Sequence, residues 1–295
     1  METEKIIQAG KIAKEVREYA REIVKPGISL LELAGKIEEK IVNLGGKPAF
    51  PVNLSMNNIA AHYTPDYNDD SIARGLLKVD FGVHIDGWVA DNAFSVDLEG
   101  SEENKNLIES SERAIEDALK IIRKDVSTDE IGEAISKAIE SRGFSPVINL
   151  TGHGMDQFEL HTGIGIPNVN DGRDSKMSDG LYAVEPFATN GGRRVRDGKP
   201  SGIYELKSDK NIRSLIARDI LDFVEEEYDT LPFCSRWIVK KFGTKALFGL
   251  RQLEENGNLH QFAQLVEVSN DAGTKVAQTE HTVLIDKGKV TVVTL

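Results

Sequence analysis

Apolar positions recur along the first half of the chain with the period of a helix, then of a strand, then of a helix again. One helical stretch runs from about Thr3 to Val24 and is closed by Lys25-Pro26-Gly27. Ser29-x-x-Glu32 then has the spacing of a capping box that opens a second helix, ending at Gly45-Gly46. An extended, turn-rich stretch, KPAFPVNLSMNNIAAHYTP, follows. From 79 to 96 the period drops to two. VDFGVHIDGWVADNAFSV predicts two strands joined at Asp86-Gly87, because both central residues of a type I′ turn need positive φ. That turn pairs Ile85 with Trp88, His84 with Val89, Gly82 with Asp91 and Asp80 with Ala93. Beyond it Ser101 opens a helix to about Arg123, and Ser127-x-x-Glu130 repeats the capping box before a helix to Arg142-Gly143.

The second of these stretches echoes the first. SLLELAGKIEEKIVNLGGKPAFPVNLS (29–55) and STDEIGEAISKAIESRGFSPVINLTGH (127–153) share a capped helix, a Gly stop, Pro-Val and Asn-Leu in the same order, which predicts a duplicated helix-then-strand unit and two related halves. The character changes from Arg193 to about Asn270, where NIRSLIARDILDFVEEEYDTL, SRWIVKKFG and ALFGLRQLEENG read as short helices with Gly stops; His260 falls in the same block. Strands return in VAQTEHTVLI and KVTVVTL. The expected organisation is a main domain of 1–192 and 271–295 with a helical insertion at 193–270.

The hairpin also places acids in core-like sequence. Val79, Phe81, Val83, Ile85, Trp88, Ala90, Phe94 and Val96 share its apolar face, and Asp80, Gly82, Asp91, Ala93 and Ser95 share the other. Asp80 and Asp91 are diagonal neighbours, roughly 7–8 Å apart at the backbone, and Gly82 leaves space between them. A solvent face would normally carry Lys, Thr or Glu, whereas Gly82, Ala93 and Ser95 suggest close packing. Two carboxylates so placed repel each other unless a cation lies between them.

Composition narrows the chemistry. A chain of 295 residues with 40% apolar content buries a sizeable core, and no stretch has the apolar length to span a bilayer. The amphipathic, charged start METEKIIQAGKIAKEV has no signal-peptide core, so a cytoplasmic location is expected. Cys234 stands alone, which excludes an internal disulfide and a thiolate cluster; a metal would be held by Asp, Glu and His. The net charge of -12 argues against a broad nucleic-acid surface, and Arg193, Arg194 and Arg196 read as a solvated loop.

Further candidate ligands are His153 in NLTGHGM, His161 in FELHTGIGIPN, Glu185 in YAVEPFA and Glu280 in AQTEHTVLI. Both glutamates interrupt apolar strands, where an unpaired carboxylate is costly. Taken singly, each is most often a salt-bridged or surface residue. Together, two Asp, two Glu and one His make an oxygen-rich set suited to two divalent ions.

In the order AFPVNLSMNNIAAHYTP, VDFGVHIDGWVADNAFSV, NLTGHGM with FELHTGIGIPN, VEPFAT, LPFCSRW and AQTEHT, the sequence resembles the type II methionine aminopeptidases, most closely the short archaeal ones. The resemblance implies an α+β pita-bread fold, pseudo-twofold halves around two metals, and the type II helical insertion. It makes Asp80, Asp91, His153, Glu185 and Glu280 the metal ligands, with Asp91 and Glu280 bridging two divalent ions drawn from Co, Mn, Fe, Zn or Ni. It places His62 and His161 toward the substrate and Phe50 on the methionine pocket, assigns the carbonyl to His161 and proton transfer to Glu185, and puts Ile203 and Leu265 where some relatives carry a polar and an aromatic residue. His281 is expected to point away from the site.

The implied activity is removal of the initiator methionine from nascent polypeptides with a small second residue, near the ribosome, by a monomer without membrane or specific nucleic-acid partners. Two other readings exist. Prolidases and proline-specific aminopeptidases share the dinuclear fold but usually carry a separate amino-terminal domain and lack the insertion. Metal-free relatives that bind ribosomes or RNA lose ligands, whereas all five are present here.

Overall fold

The Asp86-Gly87 turn sets the register of the central hairpin. A computed structural model describes residues 1–295, and in it Asp86 (φ 48°) and Gly87 (φ 82°) both take the left-handed conformation. The pairs Ile85–Trp88, His84–Val89, Gly82–Asp91 and Asp80–Ala93 follow, as the turn requires.

Around the hairpin the chain runs in two similar passes. The first contains α1 (Thr3–Ile23), α2 (Leu30–Asn43), β1 (Lys47–Pro48), β2 (Asn53–Met56), β3 (Ile59–Ala61), β4 (Leu76–Ile85) and β5 (Trp88–Asp97). The second contains α3 (Glu102–Ile121), α4 (Thr128–Glu140), β6 (Ser145–Pro146), β7 (Thr151–Met155), β8 (Gly165–Pro167), β9 (Gly180–Val184) and β10 (Phe187–Thr189). The order α2–β1–β2 recurs as α4–β6–β7, so the repeat seen in the sequence is a repeat of structure. Only one of the two capping boxes closes. Ser127 and Glu130 complete theirs, whereas at α2 Ser29 accepts from the Glu32 amide while the Glu32 carboxylate turns to Lys36, 2.6 Å away.

Each half has its own core. Ile6, Ala9, Ala13, Val16 and Ala20 of α1 recur at helical spacing and are fully buried; all but Ile6 join Leu33 and Ile37 of α2 against Val79, Phe81 and Phe94 of the hairpin. Leu107, Ala114, Ile131 and Ile135 of α3 and α4 do the same against Tyr182, Val184 and Val283. A third cluster, with Ile6, Trp88, Val89, Leu181, Ala183 and Leu284, spans the seam between the halves. Every fully buried Ile, Leu or Phe here contributes roughly 1.5–3 kcal/mol.

The acid face of the hairpin is packed, as its small residues suggested. The Ser95 hydroxyl donates to the Gln278 carbonyl and accepts its amide. Gly82 departs from expectation: it leaves no open gap, because the Phe50 ring lies over it, 2.5 Å from where a Cβ would stand. Lys78 is fully buried on the same strand and donates to the Asn57 and Val276 carbonyls at 2.8 and 2.9 Å.

Between β10 and the last strands, β11 (Val195–Leu206) leads to α5 (Leu215–Tyr228), β12 (Phe233–Cys234), α6 (Ser235–Phe242), α7 (Ala246–Glu255) and β13 (Leu259–Glu267); β14 (Val276–Gln278), β15 (His281–Asp286) and β16 (Lys289–Val292) complete the chain. This region is less helical than its pattern suggests. Gly198 and Pro200 and two register breaks hide the alternation of β11, and His260 lies on β13, not in a helix. β13 pairs with β11 on one side and β3 on the other, while the three helices share a separate core.

A buried ion pair fastens these helices to the first half. Arg236 of α6 meets both Glu38 oxygens of α2, at 2.7 and 2.9 Å, and donates to the Pro65 carbonyl at 3.0 Å; Trp237 Nε1 donates to the same carboxylate at 2.9 Å. Removing one partner strands the other charge away from water. Arg236→Met should therefore destabilise the protein by about 3–5 kcal/mol in urea unfolding, and adding Glu38→Leu should recover part of that loss. A single variant as stable as the parent would remove the pair from the structural argument.

Candidate metal centre

Five candidate donors reach one cavity from both halves. Asp80 comes from β4, Asp91 from β5 and His153 from the middle of β7. Glu185 lies where the chain leaves the five-stranded sheet β16-β15-β9-β7-β8 for the three-stranded sheet β14-β10-β6, and Glu280 lies where it returns. β9 pairs with β15 and β10 with β14, so the two crossings run side by side. A crossing residue belongs to neither ladder, and this is why an acid interrupts each apolar strand.

Asp91, His153 and Glu280 offer ligand atoms within 4.8 Å of one another. His153 Nε2 is 3.7 Å from Asp91 Oδ2 and 3.8 Å from Glu185 Oε1, while its Nδ1 lies 3.4 Å from the Gly154 carbonyl. The Thr282 hydroxyl clamps the Asp91 backbone, donating to its carbonyl and accepting its amide, both at 2.7 Å. Asp80, Glu185, Phe50, His62 and His161 line the same cavity, which encloses about 540 Å³ including its mouth. His62 takes φ 64° at the end of β3, with Nδ1 3.2 Å from the Ala263 carbonyl, and the His161 ring stands 4.3 Å from that of His153. Ile203 is part of the wall; Leu265 is not, and Phe262 is the aromatic residue contributed by β13. His281 points away from the cavity to Thr294, 2.9 Å off.

Without a cation the four carboxylates are poorly served. Burial raises Asp80 to about 7, and burial together with the neighbouring acids lifts Asp91, Glu185 and Glu280 well above the usual carboxylate range. Asp80 Oδ1 and Glu280 Oε1 are buried with no hydrogen-bond partner. Burial holds His153 down to about 4 and lowers His62, so both rings are neutral at pH 7 and able to act as ligands or neutral donors. Hard oxygen donors, orphaned and mutually repelling around one neutral imidazole, fit divalent ions.

Two polar residues near these donors were not singled out in the sequence. Gln278 Nε2 donates to Glu185 Oε2 at 3.2 Å, and its side chain partly offsets the burial that raises Asp80. Asn53 stands opposite Asp80 on β2 and lines the cavity. The available signal was a polar residue inside a strand two positions from an acid, in the case of Gln278.

The family model for metallopeptidase family M24 matches residues 4–287. The chain belongs to metallopeptidase family M24. Among M24 relatives, methionine aminopeptidase of Pyrococcus abyssi is 45% identical over 100% of both chains. In structure the chain is similar to a thermophilic Arx1 (TM-score 0.82, 15% identity, 98% of this chain and 89% of that one). It is also similar to methionine aminopeptidase from Thermotoga maritima (TM-score 0.69, 22% identity, 99% and 95% of the two chains). The fold is thus the α+β pita-bread fold, and M24 membership with this donor set implies use of divalent metal. No helix is long and apolar enough to cross a membrane.

The raised acids make the metal-free protein sensitive to pH in a defined direction. A carboxyl raised in the folded chain keeps a proton that the unfolded chain, at about 3.9, has lost; the resulting stability is full below that value and disappears as pH rises through about 7. In chelator, wild type should therefore lose stability relative to Asp80→Asn from about pH 4 to 7, with the gap levelling above. Thermal melts of both proteins across that range measure it, and a gap independent of pH would contradict the assignment.

Proposed function

We propose that Asp80, Asp91, His153, Glu185 and Glu280 hold two divalent ions, with Asp91 and Glu280 shared between them, and that the centre removes the initiator methionine from polypeptides with a small second residue. The chain is a methionine aminopeptidase by its full-length likeness to the archaeal enzymes. What supports the site reading is one observation: the four largely buried carboxylates and a neutral histidine converge on the cavity that also holds His62, His161 and Phe50.

Divalent ions bound there would supply Lewis acidity, making water a stronger acid and drawing electrons from a carbonyl. The chain's residues account for the rest. Phe50, Leu160, Ile203 and Phe262 give the methionine side chain an apolar wall. His161 donates an N–H to the oxygen of the scissile carbonyl as negative charge grows on it, and His62 positions the peptide. As water adds to the carbonyl carbon and the C–N bond breaks, Glu185 carries the water's proton to the leaving nitrogen. The region 193–270 is read as the type II insertion subdomain, and the enzyme as a cytoplasmic monomer working on nascent chains near the ribosome.

Mutation separates the two kinds of residue. Asp91→Asn should abolish peptidase activity and lower bound metal, whereas His161→Ala should cut turnover at least about tenfold with metal content intact. Metal analysis beside steady-state kinetics decides this: full metal in the first variant, or metal loss in the second, would reassign that residue.

Substrate choice follows from the depth of the site. A carbonyl brought to the converging acids pushes the second residue of the peptide against their supporting strands, leaving room for Gly, Ala or Ser. Met-Ala-Ser should be cleaved with kcat/KM at least about tenfold above Met-Glu-Ser. Equal rates on one preparation would show an open second-residue pocket, and faster hydrolysis of an Ala-Pro peptide would favour the proline-specific alternative.

A further inference from the structure

Arg17 on α1 reaches behind the cavity to the junction that carries Asp91 and Glu280. One guanidinium nitrogen, Nη1, donates to the Asn92 side-chain oxygen, to the Ala93 carbonyl at 2.9 Å and to the Glu280 carbonyl at 3.4 Å. The Ala93 carbonyl also receives the Glu280 amide at 2.9 Å, so a single acceptor joins the two acid-bearing segments and Arg17 caps the joint. The guanidinium lies 5.2 Å from the centre of the fully buried Phe94 ring. Its neighbour one turn on, Arg21, sits over the same ring at 4.5 Å but faces Glu112 at 3.8 Å. Arg17 instead spends its donors on neutral oxygens beside the acids. Asn92 interrupts the apolar face of β5 and is fully buried, and its side-chain oxygen accepts from the arginine.

We propose that Arg17 is the positioning residue for the Asp91–Glu280 pair: by tying residues 92, 93 and 280 together it sets the spacing of the two carboxylates and hence the affinity for metal. This rests on the reading of Asp91 and Glu280 as shared ligands. Asp91 directly precedes Asn92, and Glu280 is held through its own carbonyl, so loss of the guanidinium removes the one side-chain tie common to both segments while the ladder and Thr282 keep the backbone in place. Residues that orient ligands from behind typically change metal affinity by about 10–100-fold. Arg17 also places a fixed positive charge beside acids that repel each other, which lysine would keep and methionine would not.

The test is calorimetric titration of metal-free protein with Mn²⁺ alone, comparing wild type, Arg17→Met, Arg17→Lys, Arg21→Met and Asp91→Asn, each checked for folding by circular dichroism. Arg17→Met should weaken Mn²⁺ binding at least about tenfold, Arg17→Lys by less, and Arg21→Met not at all. At saturating Mn²⁺ the KM of Arg17→Met for Met-Ala-Ser should stay within about twofold of wild type, because the substrate wall is untouched. Wild-type Mn²⁺ affinity in folded Arg17→Met overturns the inference. If that variant does not fold, Arg17→Lys decides in its place, with an unchanged constant overturning it. Asp91→Asn separates the two levels of the argument: Mn²⁺ bound normally by this variant refutes the ligand reading itself, whereas its loss together with normal binding by the Arg17 variant refutes only the role of Arg17.

Discussion

Four carboxylates forced together out of water form the constraint around which this fold is built. Each loses hydration on burial, and neighbouring acids raise Asp91, Glu185 and Glu280 further, so the metal-free cluster is tense. Such a cluster is compatible with folding only when surrounding elements hold the acids against their repulsion. The hairpin ladder fixes Asp80 and Asp91, the Thr282 hydroxyl pins the Asp91 backbone, and Gln278 holds Glu185. Cations relieve the repulsion that these contacts resist, which couples metal binding to stability.

Duplication explains how one chain brings so many acids to one point. Each half contributes a pair of helices that packs on one side of its sheet, and the donors stand on the opposite side, where the halves meet. The second half adds the paired sheet crossings at Glu185 and Glu280. A crossing frees a residue from ladder geometry while its flanks stay locked, giving a side chain that is precisely aimed yet outside any alternating face. The segment between β10 and β14 then builds the outer wall: β13 pairs with β3, holding Ala263 beside His62 and bringing Phe262 to the cavity.

Much of this was legible in the chain because the informative signals are local. Asp86-Gly87 dictates a turn, the turn dictates the register, and the register puts Asp80 and Asp91 on one face; none of these steps needs tertiary information. Helix boundaries followed from caps and Gly stops for the same reason. The convergence of His153, Glu185 and Glu280 on the hairpin was reachable only through resemblance, since no spacing encodes it. Arg17 was out of reach because its meaning lies in partners remote in sequence: an arginine on an amphipathic helix looks solvated until Asn92 is found across from it. β11 was missed because Gly198 and Pro200 break the period on which strand reading depends.

Fold likeness and chemistry carry different weight here. The thermophilic Arx1 structure superposes with a TM-score of 0.82 at 15% identity, above the 0.69 of the Thermotoga aminopeptidase at 22%. Backbone similarity at such identities speaks for the scaffold, which hosts more than one function, and leaves activity to the side chains. Those side chains are specific. A scaffold relieved of metal chemistry would gain stability by replacing any of the four acids with an apolar residue, because each is raised by burial and Asp80 and Glu280 each leave an oxygen without a partner. Retaining all four, together with a neutral His153 aimed between two of them, keeps at neutral pH a mutual repulsion that a bound divalent cation would relieve, which is the arrangement a metal centre needs.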